Sequence, residues 1–200
     1  MSIINRDLVN IINFNNDNYD LIKNEIINSK QNVNAILIKN IAKNTPNWDN
    51  FMNHLNYQYH KESKKISANP HLEYFINGVL FKKRLYVLVD RPTIEFFPQL
   101  IELRDILNKI GNHTGDVVGA YLNFAKEVET LRHSDSKDHM YWQCINNTEW
   151  TFYRHDKMDT VVVEPGDLVF IPKTLDHEVF APSSRAAIQL VFELTDKKEI

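Results

Sequence analysis

Three residues in this chain have the types and spacing to hold a metal ion: His133 and Asp135, one residue apart, and His177 further along. On a strand, residues two apart project to the same face, so His133 and Asp135 would offer an imidazole and a carboxylate to one ion. With His177 they make two histidines and one carboxylate, a facial set that leaves positions open on non-haem Fe(II) for a co-substrate and O2. The His-x-Asp pair alone is a weak signal, since a surface histidine beside a turn-forming aspartate is spelled the same way. The stretch from Glu164 to His177 strengthens it. Pro165-Gly166 marks a turn, Leu168 to Ile171 is an apolar run of strand length, and Pro172 stops it. A short connection then delivers His177, followed by Val179 and Phe180, at the start of another strand.

The elements that must position these residues divide the chain in two. From Gly115 onward, short β-like segments alternate with turns: Val117 to Phe124, Leu131 to Asp135, Met140 to Ile145, Trp150 to Tyr153, Thr160 to Val163, Leu168 to Ile171, His177 to Phe180 and Ala186 to Leu194. Eight strands at this spacing predict a jelly roll over residues 115–195. Residues 1–114 read as a buttress of helices and added strands. Leu8, Ile11 and Ile12, then Tyr19, Leu21, Ile22, Ile26 and Ile27 suggest an amphipathic helix to about residue 31 with an Asn-rich interruption. Asn34 to Ile41 and Leu85 to Val89 read as strands, and Lys61 to Pro70 as a loop. Pro46 and Trp48 open a helix to about Tyr59. Thr93 is the expected cap of another, with a stripe of Phe96, Phe97, Leu100, Leu103, Leu107 and Ile110 closed by Gly111. The fold expected is therefore mainly β with N-terminal and flanking helices (α+β), a single domain over 1–200 with a double-stranded β-helix core.

Composition narrows the function classes. A chain of 200 residues, 43% hydrophobic, can bury a sizeable core. A net charge of −3 gives no reason to expect nucleic acid or an anionic membrane as partner. No apolar run approaches the ~20 residues of a membrane span, and no signal peptide is recognisable. The single cysteine, Cys144, precludes an internal disulfide and suits a reducing cytoplasm; alternating with Trp142, it reads as a packed thiol.

The spacing Gly166-x5-Pro172-x4-His177 resembles the second sequence motif of the cupins, with Thr174 where that motif usually has glycine. Together with Tyr121-Leu-Asn-Phe, Thr130-Leu-Arg-His133-Ser-Asp135, Trp142-Gln143, Trp150 and Phe152-Tyr153, it resembles the cupin-like (JmjC-type) Fe(II)/2-oxoglutarate-dependent oxygenases over about 80 residues of the C-terminal half. The resemblance implies that His133, Asp135 and His177 are iron ligands. It also implies that 2-oxoglutarate chelates the metal through its keto-acid end, and that its decarboxylation by O2 drives hydroxylation of an unactivated C–H bond. Within the asparagine-hydroxylase type of this family, a threonine three residues before the first ligand is matched by Thr130. A lysine fifteen residues after that ligand is Thr148 here, and an asparagine six residues after it is His139.

The distal carboxylate of 2-oxoglutarate needs a cation or hydroxyls inside the barrel. Arg185 is the best candidate, eight residues after His177 on the last strand, where other oxygenases of the superfamily carry such an arginine. Its alternation partners Ala187 and Gln189 are small or polar, as a site-facing row requires, while Ile188 and Leu190 face the other way. Tyr121 and Asn123 share a face on the strand before the triad and are candidate donors, and His139 is a candidate for co-substrate contact or for support of the metal ligands. The function expected is an oxygenase that hydroxylates, or demethylates through hydroxylation, a protein side chain, peptide or small molecule. Two alternatives stand beside it: a metal-binding cupin with non-oxidative chemistry, and a barrel that has lost its co-substrate site and only binds. The direction of Arg185 separates them. Substrate identity and oligomeric state are open.

Overall fold

The computed structural model describes residues 3–61, 86–90, 94–111, 117–124 and 126–191. Among the described residues, twelve strands and three helices follow in order: β1 (Ile4–Asn5), β2 (Val9–Asn13), α1 (Tyr19–Asn32), β3 (Ala35–Lys39), α2 (Trp48–Lys61), β4 (Tyr86–Asp90), α3 (Leu100–Ile110), β5 (Val117–Asn123), β6 (Val128–His133), β7 (His139–Ile145), β8 (Thr148–Arg154), β9 (Lys157–Val163), β10 (Leu168–Ile171), β11 (Asp176–Ala181) and β12 (Arg185–Val191). They form an eight-stranded sheet, β1-β2-β3-β10-β7-β12-β5-β4, and a four-stranded sheet, β6-β11-β8-β9. Strands β5 to β12 alone alternate between the sheets as a jelly roll does: β5, β12, β7 and β10 in one, β6, β11, β8 and β9 in the other. All eight strands expected from the sequence are present, and β3 and β4 also fall where expected. The N-terminal half extends the larger sheet, by β3, β2 and β1 beyond β10 and by β4 beyond β5.

Two apolar layers result from the period-2 alternation of the large sheet. Ile36, Ile38, Met140, Trp142, Cys144, Leu168, Phe170, Ile188 and Leu190 project to the helix side, against Ile22 and Ile26 of α1, Phe51 of α2 and Leu103 and Leu107 of α3. Leu37, Tyr141, Val169 and Ile171 project into the barrel, where Trp150, Phe152, Val161, Val163 and Val179 of the small sheet meet them. Cys144 is the packed thiol expected, and burial holds it well above the usual thiol range. No described helix is long and apolar enough to cross a membrane.

Two expectations need correction. Residues 9–13 are not helical: β2 pairs in parallel with β3, Val9 opposite Ala35 and Ile12 opposite Ile38, with α1 as the crossover. A strand covered on both faces has a near-continuous apolar run, which imitates helical spacing over so short a length. The Asn-rich interruption is the turn between them, where Asn18 donates to Asn13 O at 2.9 Å and accepts from Asn15 N at 3.1 Å. Helix α3 begins at Leu100 rather than near Thr93. Residues 94–99 form turns that include Pro98, and Gly111 closes the helix as expected, its N–H on Leu107 O. Thr93 itself and the loop expected from Lys61 to Pro70, past Lys61, lie outside the described residues.

Candidate metal centre

Strands β6 and β11 pair antiparallel with His133 directly opposite His177, so the two imidazoles stand side by side with ring centroids 4.3 Å apart. Each ring is fixed by its own backbone. His133 Nδ1 lies 2.7 Å from Leu131 O, and His177 Nδ1 lies 3.0 Å from Leu175 O. A carbonyl can only accept, so Nδ1 carries the proton in both rings and each Nε2 keeps a free lone pair for a metal. Trp150 lies almost parallel to His177, with centroids 5.7 Å apart. Its Nε1 donates to Thr148 Oγ1 at 3.0 Å, and Thr148 in turn donates to Gln143 Oε1 at 3.3 Å.

Asp135 arrives differently. It is not on a strand with His133, as the two-residue spacing suggests, but in the loop after β6 ends at His133. That loop is tied to the corner leading to His177 by two backbone donors, Thr174 N to Asp135 O at 3.1 Å and Lys173 N to Asp138 Oδ1 at 2.8 Å. The Asp135 carboxylate reaches 3.9 Å from His177 Nε2, and one ligand atom each from His133, Asp135 and His177 lie within 4.8 Å of one another. Burial alone would raise the Asp135 carboxyl, but the close contact with His139 and the other nearby imidazoles outweigh it and hold it below the usual range. His177 is held below the usual imidazole range chiefly by burial. Two imidazole nitrogens and a carboxylate converging on one point fit a divalent first-row metal, Fe(II) among them.

Beside the histidines lies a cavity of about 80 Å3 lined by Tyr121, Thr130, His133, Tyr141, Trp150, His177, Val179 and Arg185. Arg185 is thus an inward-facing, buried arginine, and its charge acts on the Tyr141 hydroxyl. Tyr121 and Thr130 join it, as the sequence suggests. Three other candidates sit elsewhere. Asn123 is buried opposite Arg185 in the β5–β12 register but is not part of the cavity wall. Gln189 donates from Nε2 to Tyr141 Oη at 2.7 Å, behind the wall. His139 turns its Nδ1 to Asp135 Oδ2 at 2.9 Å rather than to the cavity. Tyr141, Trp150 and Val179 also line the wall, and Tyr141 is the one among them that brings a hydroxyl. Its signal was alternation on β7, where residues 139, 141 and 143 share the face opposite Trp142 and Cys144.

No family model and no curated protein matches this chain. Solved structures similar to it include a cupin superfamily protein from Desulfitobacterium hafniense, 14% identical over 40% of this chain and 76% of that one, with a TM-score of 0.33. They also include YcfD, a ribosomal oxygenase from Escherichia coli, 17% identical over 60% of this chain and 34% of that one, with a TM-score of 0.47. The fold is a jelly roll. The alternation of β5 to β12 between two sheets establishes that, independently of these distant likenesses.

Proposed function

We propose that this protein is a non-haem Fe(II)/2-oxoglutarate-dependent dioxygenase that hydroxylates, or demethylates by way of hydroxylation, a protein side chain or small molecule. The observation that carries the proposal is that Arg185, a buried cation, lines the same small cavity as His133 and His177. His133, Asp135 and His177 would hold the iron, their protons already committed to Leu131 O and Leu175 O in the two imidazoles. Bound Fe(II) would supply the redox chemistry that couples decarboxylation of 2-oxoglutarate by O2 to C–H hydroxylation. Arg185 then pairs with the distal carboxylate, with the Tyr121 and Thr130 hydroxyls as further donors. Trp150, Tyr141 and Val179 wall the site off from water, which strengthens the Arg185–carboxylate attraction. Such a protein works in a reducing compartment, for which the cytoplasm is the natural choice.

Thr148 favours a second reading. Where the asparagine-hydroxylase type has a lysine, this residue is buried and hydrogen-bonded to Gln143 and Trp150, so this position offers no cation to a co-substrate. A metal-binding cupin without 2-oxoglutarate turnover would have that feature. Anaerobic titration of the Fe(II)-loaded protein with 2-oxoglutarate decides. The oxygenase develops a visible metal-to-ligand charge-transfer band, and Arg185→Ala raises the concentration needed by tenfold or more, on the order of 1.4 kcal/mol. Absence of the band at confirmed iron content rules the oxygenase out in favour of the second reading.

A further inference from the structure

The three proposed ligands are held to unequal degrees by the sheet. His133 and His177 face each other on paired strands, and each ring is locked to a carbonyl two residues before it. Asp135 stands past the end of β6, where no strand register dictates the direction of its side chain. What reaches it comes from the other sheet. His139, the first residue of β7, is buried and brings Nδ1 to 2.9 Å from Asp135 Oδ2. Two residues on, on the same face, Tyr141 Oη approaches that same oxygen at 3.5 Å and is itself held by Gln189 Nε2 at 2.7 Å. The His139 contact is a close approach of imidazole to carboxylate, 2.9 Å between the atoms, rather than an aligned hydrogen bond: Nδ1 is buried and meets no acceptor along its N–H direction.

We infer that His139 is a positioning residue for the proposed metal centre: its buried imidazole, with Nδ1 2.9 Å from Asp135 Oδ2, holds that carboxylate toward His133 and His177, so that the larger sheet braces a ligand that no strand register of the smaller sheet directs. Nothing about His139 makes it a ligand itself, since the nitrogen near the site is already on Asp135. This role rests on the metal-centre reading but not on 2-oxoglutarate chemistry. An asparagine Nδ2 sits close to where a histidine Nδ1 does. Glutamine is one carbon longer, and its amide nitrogen falls nearer the histidine Nε2 position.

That difference supplies the test. Cobalt(II) is titrated into the metal-free full chain and followed by its visible absorption, for the wild type, His139→Asn and His139→Gln, with thermal melts of each metal-free protein alongside. The wild type binds cobalt, His139→Asn stays within a few-fold of it, and His139→Gln loses about 10–100-fold, the usual cost of removing a partner that orients a metal ligand. Two polar variants of similar size keep the comparison valid even if both melt somewhat lower than the wild type. Equal affinity in all three overturns the role of His139, and so does equal weakening in both variants, which would mark a packing effect. A folded wild type that takes up no cobalt overturns the metal centre, and His139's role with it.

Discussion

Strand β10 has a corner at each end, and the two corners are built to opposite purposes. The first, Glu164 to Asp167, uses its polar groups on the fold. Gly166 sits at φ +94°, where an added Cβ would stand 2.9 Å from Ala42 O, so only glycine fits without a shift. Its N–H donates to Gln143 O and its carbonyl accepts from Ile41 N, both at 2.9 Å. The buried Asp167 carboxylate accepts from Glu164 N at 2.8 Å, Asn40 N at 2.9 Å and Lys39 Nζ at 2.6 Å. Burial would lower the Lys39 amine, but its bonds to Asp167 and Glu164 outweigh that and hold it above the usual lysine range. The second corner, Pro172 to Leu175, is exposed at Lys173 and Thr174 and directs their two N–H groups at the loop that carries Asp135. One corner holds the barrel together; the other joins the two segments that bring the proposed metal ligands. Damage to the first is therefore read in stability, and damage beside the second in metal binding.

The sharpest break in that division comes from Asp135→Ala. With the only carboxylate of the set removed, cobalt uptake and any 2-oxoglutarate turnover are expected to fall to background. The melting temperature of the metal-free protein should stay within a few degrees, because Asp135 lies in a loop and not in either core. Loss of the fold instead would give Asp135 a structural role and blur the contrast. Asp167→Ala is the converse. Three donors, two of them backbone N–H groups, lose a buried acceptor, at a cost of about 3 kcal/mol. For a chain of this size that lowers the melting temperature by roughly 6–12 °C, with cobalt affinity at subsaturating denaturant unchanged. Gly166→Ala should cost about 2 kcal/mol, from the left-handed backbone and the clash with Ala42 O, measurable as a shifted urea midpoint at constant slope.

Acid provides a milder probe of the second region. His177 is held below the ordinary imidazole range by burial, so the folded protein resists protonating it while the unfolded chain does not. The stability gained from a neutral His177 is complete above about pH 6.5 and is lost as pH falls from there toward the depressed folded value. The depressed carboxyl of Asp135 adds a loss of the same sign at lower pH, once the pH falls through the usual carboxylate range. Metal-free protein should thus melt progressively lower between pH 7 and pH 5, and His177→Phe should flatten that slope. An unchanged slope in the variant would remove His177 as its source.

Much of this organisation was legible in the chain before any coordinates. Pro165-Gly166 and Pro172 bracket β10 so tightly that the strand and both corners follow from local chemistry, and His177 is then carried to a strand start by a connection too short to go elsewhere. Arg185 was placed by alternation, because Ala187 and Gln189 share its face while Ile188 and Leu190 pack toward the helices. What failed had a different cause. For β2 the deciding fact is a parallel partner 26 residues on, Ala35 opposite Val9, which no window of local periodicity contains. For His139 the strand face is readable but its target is not: the two-residue spacing puts Asp135 on a strand with His133, and only the turn after His133 swings it toward β7.

Thr174 is where sequence and structure disagree most instructively. The motif it belongs to usually has glycine there, and Thr174 adopts φ +73°, the left-handed region that a β-branched side chain enters only at a cost. Thr174 is exposed and third in the Pro172–Leu175 turn, which Leu175 N closes on Pro172 O at 3.3 Å and where a positive φ is called for, and its own N–H reaches Asp135 O at 3.1 Å. Thr174→Gly keeps that N–H and removes the Cβ. It should raise stability by about 1 kcal/mol, or roughly 2–4 °C, less whatever the extra freedom of glycine in the unfolded chain takes back. If the corner matters to the metal through its backbone alone, cobalt affinity is unchanged in the more stable variant. A gain in stability accompanied by weaker cobalt binding would mean instead that the strained threonine is what holds the Asp135 loop against the second corner, and the strain would then belong to the metal centre rather than to the barrel.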